Sequence, residues 1–140
     1  MIRCILGTVL LSATLSGLLQ PATAANSLVG TWRGFAVANG MRLQSDLVLD
    51  SRGRFTELTR TGSLMSQRMG KWLILPNGNL RLTVTDWAPK QQCVAPSGCF
   101  PIRMPPGSQY RVRFTSPNTA LFTDVTFGRA TGTITYRRGF

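Results

Sequence analysis

The stretch SLVGTWRGFAV, Ser27 to Val37, decides the fold. In a β-strand successive side chains point to opposite faces. Read with that period, Gly30, Trp32, Gly34, Ala36 and Ala38 share one face, and Val29, Thr31, Arg33, Phe35 and Val37 share the other. One face thus carries a tryptophan and otherwise almost no side chain. With Trp32 pointing inward, the glycines and alanines would leave room above a tryptophan floor, as on the inner wall of a small barrel.

The period of two continues downstream. RLQSDLVLD (Arg42 to Asp50) puts Leu43, Leu47 and Leu49 on one face, and SRG turns the chain into RFTELTRTG, which reads as a hairpin. GKWLILPNGNLRLTVTDW repeats the pattern around Pro76-Asn77-Gly78-Asn79, since Asn and Gly accept the positive φ of a tight turn. Leu80, Leu82 and Val84 oppose Arg81, Thr83 and Thr85; Tyr110, Val112 and Phe114 oppose Arg111 and Arg113. TALFTDV and GTITYRR follow, and no segment has a helical period. About eight strands joined by short turns predict an all-β fold, an eight-stranded antiparallel up-and-down barrel. One long link is expected to be a loop, the Pro- and Cys-containing segment from Ala88 to Gly107. A sandwich would need several long crossing connections.

Upstream of the opening stretch, Met1 to Arg3 carry one positive charge, Ile5 to Leu19 are uncharged and mostly apolar, and Ala22 and Ala24 form a small-x-small site. These features predict a signal peptide over residues 1–24, cleaved near Ala24, and a single periplasmic or secreted domain over residues 25–140. The apolar run is shorter than the roughly 20 residues of a membrane-crossing helix, so no transmembrane span is expected in the mature chain. Cys4 precedes the run and would leave with the leader. In an oxidising compartment Cys93 and Cys99 are expected to form a disulfide that pins the long loop. Their five-residue separation does not make a redox motif of the C-x-x-C type.

Sixteen Lys and Arg against five Asp and Glu give a formal net charge of +11, one unit of which leaves with Arg3. Such a field favours anionic partners, for example an anionic component of the cell envelope. The arginines are dispersed through the strands, without the clustered bases and interleaved aromatics of a nucleic-acid reader, so no nucleic acid is expected. The sequence has no histidine. Together with the scattered acids and the paired cysteines, this leaves no metal set, no cofactor loop and no nucleophile constellation, so neither catalysis nor a bound metal or cofactor is expected. Asp46 and Glu57 are the one pair of acids that the first hairpin brings near each other, and a carboxylate dyad there is the only catalytic arrangement to weigh.

Gly30-x-Trp32 opening the first strand, with Arg138 in the terminal TITYRRG, resembles the lipocalin and wider calycin superfamily of up-and-down barrels. Thr123-Asp124-Val125 is similar to their late Thr-Asp-Tyr motif, with valine in place of tyrosine. The resemblance implies that Gly30, Trp32 and Arg138 close one end of the barrel, with Arg138 lying across the indole, and that the lumen holds a small ligand. The C-terminal helix of typical lipocalins is not recognisable. GTW followed by DSRGRFTEL also resembles the first hairpins of avidins, but their biotin-binding asparagine corresponds to Gly34, which argues against biotin. The exported bacterial metalloprotease inhibitors share the Gly-x-Trp opening, but little chain precedes Gly30 here to serve as their inhibitory trunk.

Two functions are therefore carried forward. In the first, the barrel binds a small, largely apolar molecule without catalysis. By alternation its lumen candidates are Trp32, Ala36, Leu43, Leu47, Phe55, Trp72, Leu82, Val84, Tyr110, Val112 and Tyr136, with Ser45 as a polar anchor. In the second, the barrel is filled, and its arginine-rich exterior or its Cys loop contacts an anionic polymer, a lipid headgroup or a protein, protease inhibition being one form of this.

Overall fold

A computed structural model describes residue 25 and residues 27–139; the expected signal peptide lies outside the described residues. Ten strands follow one another: β1 (Gly30–Ala38), β2 (Met41–Leu49), β3 (Arg54–Thr61), β4 (Leu64–Ile74), β5 (Leu80–Ala88), β6 (Gln91–Val94), β7 (Gly98–Pro101), β8 (Ser108–Ser116), β9 (Thr119–Asp124) and β10 (Gly132–Arg138). Eight of them close an antiparallel barrel in the order β1-β10-β9-β8-β5-β4-β3-β2, which leaves the barrel sheet no open edge. Closure is made by β1 against β10, with Trp32 opposite Arg138 and Gly34 opposite Tyr136. This is the expected architecture, and it fits a calycin-like fold. No helix of the described residues is long and apolar enough to cross a membrane.

The long link differs from its expectation as a loop. It contains a separate hairpin, β6–β7, in which Cys93 and Cys99 face each other and are disulfide-bonded. Gln91 and Gln92 gave no alternating apolar signal because both strands are exposed on either side, so burial never selected a period of two.

The connections at one end of the barrel are β1–β2, β3–β4, β5 to β8 and β9–β10; the other end has β2–β3, β4–β5 and β8–β9, the start of β1 and the end of β10. The core gathers toward the second end. Trp32, Leu47, Leu49, Phe55, Leu80, Leu82, Ala120 and Phe122 are almost wholly buried there, with Trp72 and Val84 slightly less so. A short helical turn through Ser27 and Leu28 folds over this end, and the Trp32 indole donates from Nε1 to the Leu28 carbonyl at 2.8 Å. Phe114 meets the indole edge-on at 5.9 Å between centroids, and Phe122 lies 6.2 Å away.

Arg138 caps the plug. Its guanidinium carbon stands 4.2 Å from the centre of the Trp32 ring, and it donates to the carbonyls of Val29, at 2.6 Å, and Ser27. One side chain thereby ties the last strand to the segment before the first. The cation–π contact alone contributes about 2 kcal/mol when shielded from water. Gly30 is required beneath it: its φ is +143°, and a Cβ there would come within 2.9 Å of Arg138 Nη1.

Candidate functional site

Gly34 explains how the space above the tryptophan is used. A Cβ at Gly34 would stand 2.7 Å from Ile134 Cγ2 and 2.9 Å from Tyr136 Cε1. The emptiness of that face of β1 is therefore filled from β10: Tyr136 lies over Gly34 and meets the Phe122 ring at a tilt of 47°, 4.6 Å between centroids. This corrects the expectation that the small residues of β1 leave an open space over Trp32. The floor of the hollow part is one layer higher, at Tyr136 and Ser45.

Above that floor is a cavity of about 410 Å³, roofed by the segment from Pro89 to Pro106. Among the sequence-derived lumen residues, Leu43, Ser45, Tyr110 and Tyr136 line it. Trp32, Leu47, Phe55, Trp72, Leu82 and Val84 belong instead to the solid core, with Val112 packed against it. Ala36 is half-exposed and does not line the cavity. Alternation assigned these residues correctly to the inner face, but it has no information on which layers of that face are filled.

Most of the lining escaped the sequence-derived candidates, and four of the missed residues matter most. Glu57 and Arg68, cross-strand partners on β3 and β4, both point inward. Trp87 reaches the wall because β5 has an irregularity opposite Met69/Gly70: Val84 pairs with Gly70, Asp86 with Met69 and Trp87 with Arg68, so the inward positions change from even to odd. Ile102, from the roof, accepts a hydrogen bond at its carbonyl from Trp87 Nε1 at 3.0 Å. The signal for Glu57 was available in its alignment with Phe55 on one face. A charge at an inward position, however, reads as a break in the apolar pattern until its partner is known.

The polar side chains form one chain along the wall. Tyr136 donates its hydroxyl proton to Ser45 Oγ at 2.8 Å, and Ser45 donates in turn to Glu57 Oε1 at 2.8 Å. Arg68 donates from Nε to the other Glu57 oxygen. The same guanidinium reaches Ser108 Oγ at 2.8 Å, the Pro106 carbonyl at 3.0 Å and the Tyr110 hydroxyl at 3.3 Å. A buried ion pair needs such additional bonds to offset its desolvation. Among the described residues no buried side-chain nitrogen or oxygen lacks a hydrogen-bond partner.

The electrostatics follow from burial and this pairing. Burial, and then the Glu57 carboxylate, hold the Tyr136 hydroxyl protonated far above the ordinary tyrosine range. The same two causes push Tyr110 upward, with Arg68 opposing them. Burial works against the charge of Arg68, but Glu57 and Tyr110 outweigh it and raise its pKa. The wall is consequently a neutral ion pair flanked by protonated hydroxyls. That pair offers hydrogen-bonding groups to a guest without a net charge of its own, while Arg103, in no ion pair among the described residues, adds one positive charge to the lining from the roof.

Asp46 and Glu57 do not form a dyad. In the β2–β3 register Asp46 pairs with Leu58 and Leu47 with Glu57, so the two carboxylates occupy opposite faces of the sheet. Asp46 faces outward, where it accepts from Arg33 Nε at 2.7 Å, Arg60 Nη1 at 3.1 Å and Gln44. The Arg33 hydrogen bond, opposed by partial burial, holds its carboxyl below the ordinary aspartate range. No cluster of three or more His, Cys, Asp or Glu suited to a metal ion is found among the described residues.

No protein-family model matches the chain, and no curated protein is significantly similar to it. What the geometry establishes is the barrel itself, plugged at one end and hollow toward the other.

Proposed function

We propose that this is an exported, lipocalin-like barrel that binds a small, largely apolar molecule in the hollow half of its lumen and does no chemistry on it. The observation that carries this reading is the cavity of about 410 Å³ between the Tyr136–Ser45 floor and the Pro-rich roof. Its size and its mostly apolar wall with a few converging polar groups are those of small-molecule sites in general. The neutral Glu57–Arg68 pair suits a guest with an uncharged polar group, such as a carbonyl or hydroxyl, and Arg103 at the roof disfavours a cation. The residues that close the far end also support kinship with calycin barrels: Gly30, Trp32 and Arg138 play the parts which that resemblance implies.

The test is native mass spectrometry of the protein purified gently from its own envelope fraction, before and after denaturation, beside a Leu43→Trp variant. Leu43 lines the cavity without belonging to the buried core, so the larger ring fills the space at little cost to the fold. An additional mass that leaves the parent on denaturation, and is lacking in the variant, is the expected result. A bare polypeptide in the parent, which also fails to take up an apolar fluorescent probe, would overturn the reading.

A further inference from the structure

The mouth of the barrel has a surface unlike the opposite end. Val37, Met41, Leu64, Met65 and Phe127 all stand at its rim and are exposed, Val37 by 76 % and Phe127 by 79 %. Val37, Met41, Leu64 and Met65 lie at the strand ends flanking the β1–β2 and β3–β4 turns, and Phe127 in the β9–β10 connection, all of which antiparallel topology puts at one end. Phe100 and Met104 of the roof segment are exposed at the same end. At the opposite end the turn tips are polar: Ser51-Arg52-Gly53, Asn77-Gly78 and Ser116-Pro117-Asn118.

Exposed bases outside any ion pair occur at both ends, Arg52 and Arg81 at the plugged one, so what sets the mouth apart is that its bases stand among apolar side chains. Arg42, Arg103 and Arg129 are exposed at the mouth, and none of them is in an ion pair among the described residues. The carboxylates at that end are engaged: Asp86 binds Lys90 at 2.6 Å, and Asp124 accepts from the Thr126 hydroxyl at 2.6 Å. An apolar rim interspersed with unpaired arginines matches the chemistry of a bilayer whose headgroups are anionic. The apolar tips enter the interface and the guanidinium groups meet phosphates.

We infer that the mouth of the barrel docks on an anionic lipid surface, with Val37, Met41, Leu64, Met65 and Phe127 entering the headgroup layer and Arg103 and Arg129 pairing with lipid phosphates. A protein partner would need a matching acidic and apolar face. The rim side chains project singly from three separate turns and form no concave seat for such a face, whereas a fluid lipid surface adapts to them. The inference does not require an occupied lumen.

Vesicle co-sedimentation tests it, using the chain expressed with its own N terminus and recovered as the cell leaves it. The vesicles are phosphatidylcholine alone, or phosphatidylcholine mixed with phosphatidylglycerol. Binding should require the anionic lipid and weaken with added salt. Arg103→Gln and Arg129→Gln should each reduce partitioning about fivefold. The Leu64→Ser/Met65→Ser pair should reduce it by a further factor, while Arg52→Gln and Leu73→Ser, away from the mouth, leave it unchanged. Equal binding by parent and rim variants would overturn the inference, since attachment would then run through another segment such as the apolar run at Ile5 to Leu19. So would salt-sensitive binding indifferent to Leu64 and Met65, which is general polyanion attraction, or a dimer in light scattering that buries the rim. The Leu43→Trp variant should bind vesicles like the parent even if it has lost a lumen guest, which separates the two proposals.

Discussion

At one end of the barrel Trp32 is fully buried beneath Leu28 and Arg138, with Phe114 and Phe122 against its ring; at the other, Leu43, Ile134 and Trp87 stand around a space that no side chain of the described residues fills. The same strands build both ends with the same alternation of inward and outward residues. The difference lies in what the inward positions carry. Toward the plug they are leucines and aromatics in contact, whereas toward the mouth Thr59, Ser66, Glu57 and Arg68 are interspersed among the apolar ones. Small and polar residues cannot fill the lumen by dispersion contacts, and a buried ion pair holds the wall in place through hydrogen bonds instead. Stability is concentrated at one end and space at the other.

The largest effect that should separate the two ends comes from Trp32→Ala. Loss of a fully buried indole, its neighbours and its cation–π contact should cost about 3–5 kcal/mol in denaturant unfolding. Leu64→Ser, at the exposed rim, should change stability by less than about 0.5 kcal/mol. Comparable losses at both sites would abolish the proposed division.

The wall between the two regions gives the next largest effect. Glu57→Gln or Arg68→Met, each leaving a partner charge buried without its counterion, should destabilise by about 2–4 kcal/mol. The double substitution should recover a good part of that loss in a double-mutant cycle. Additive losses would mean that the pair is not coupled. Arg68→Met has a second expected consequence. Its bond to the Pro106 carbonyl is one of the ties holding the roof, so amide exchange around Ile102 to Gly107 should accelerate while that of β1 and β10 does not.

The smallest effect is a pH dependence arising at the floor. Tyr136 keeps its proton in the folded barrel far above the ordinary value of 10.0 at which the unfolded chain releases it. Above that pH the unfolded chain binds fewer protons than the fold, so stability, complete below pH 10.0, falls as pH rises beyond it. Tyr136→Phe should cost about 1 kcal/mol at neutral pH through the lost bond to Ser45. It should also flatten the alkaline decline, leaving the share that comes from Tyr110. An unchanged slope would show that Tyr136 is exposed to solvent in the fold.

Much of the architecture was legible because burial on one side of a sheet imprints a period of two on the chain. Leu80, Leu82 and Val84 on β5 and the Gly30-x-Trp32 opening of β1 are examples. The hairpin of β6 and β7 was not legible, since no face of it is buried and its pairing is fixed locally by turn and disulfide. Most of the cavity wall was also hidden. Trp87 moves to an inward position only through the irregularity opposite Met69/Gly70, and nothing in the local pattern of β5 announces that change.

The sequence by itself determined that this protein is a closed, antiparallel all-β barrel with a tryptophan and an arginine at one end, because alternation, turn residues and chain length leave few other ways to bury its apolar faces. Only the tertiary structure decided where the barrel is solid and where it is hollow. Tyr136 comes from the last strand to fill the gap above Gly34, and Glu57 finds Arg68 across a strand pair. Both depend on which residues meet after closure, a property of register around the whole barrel that no single strand encodes.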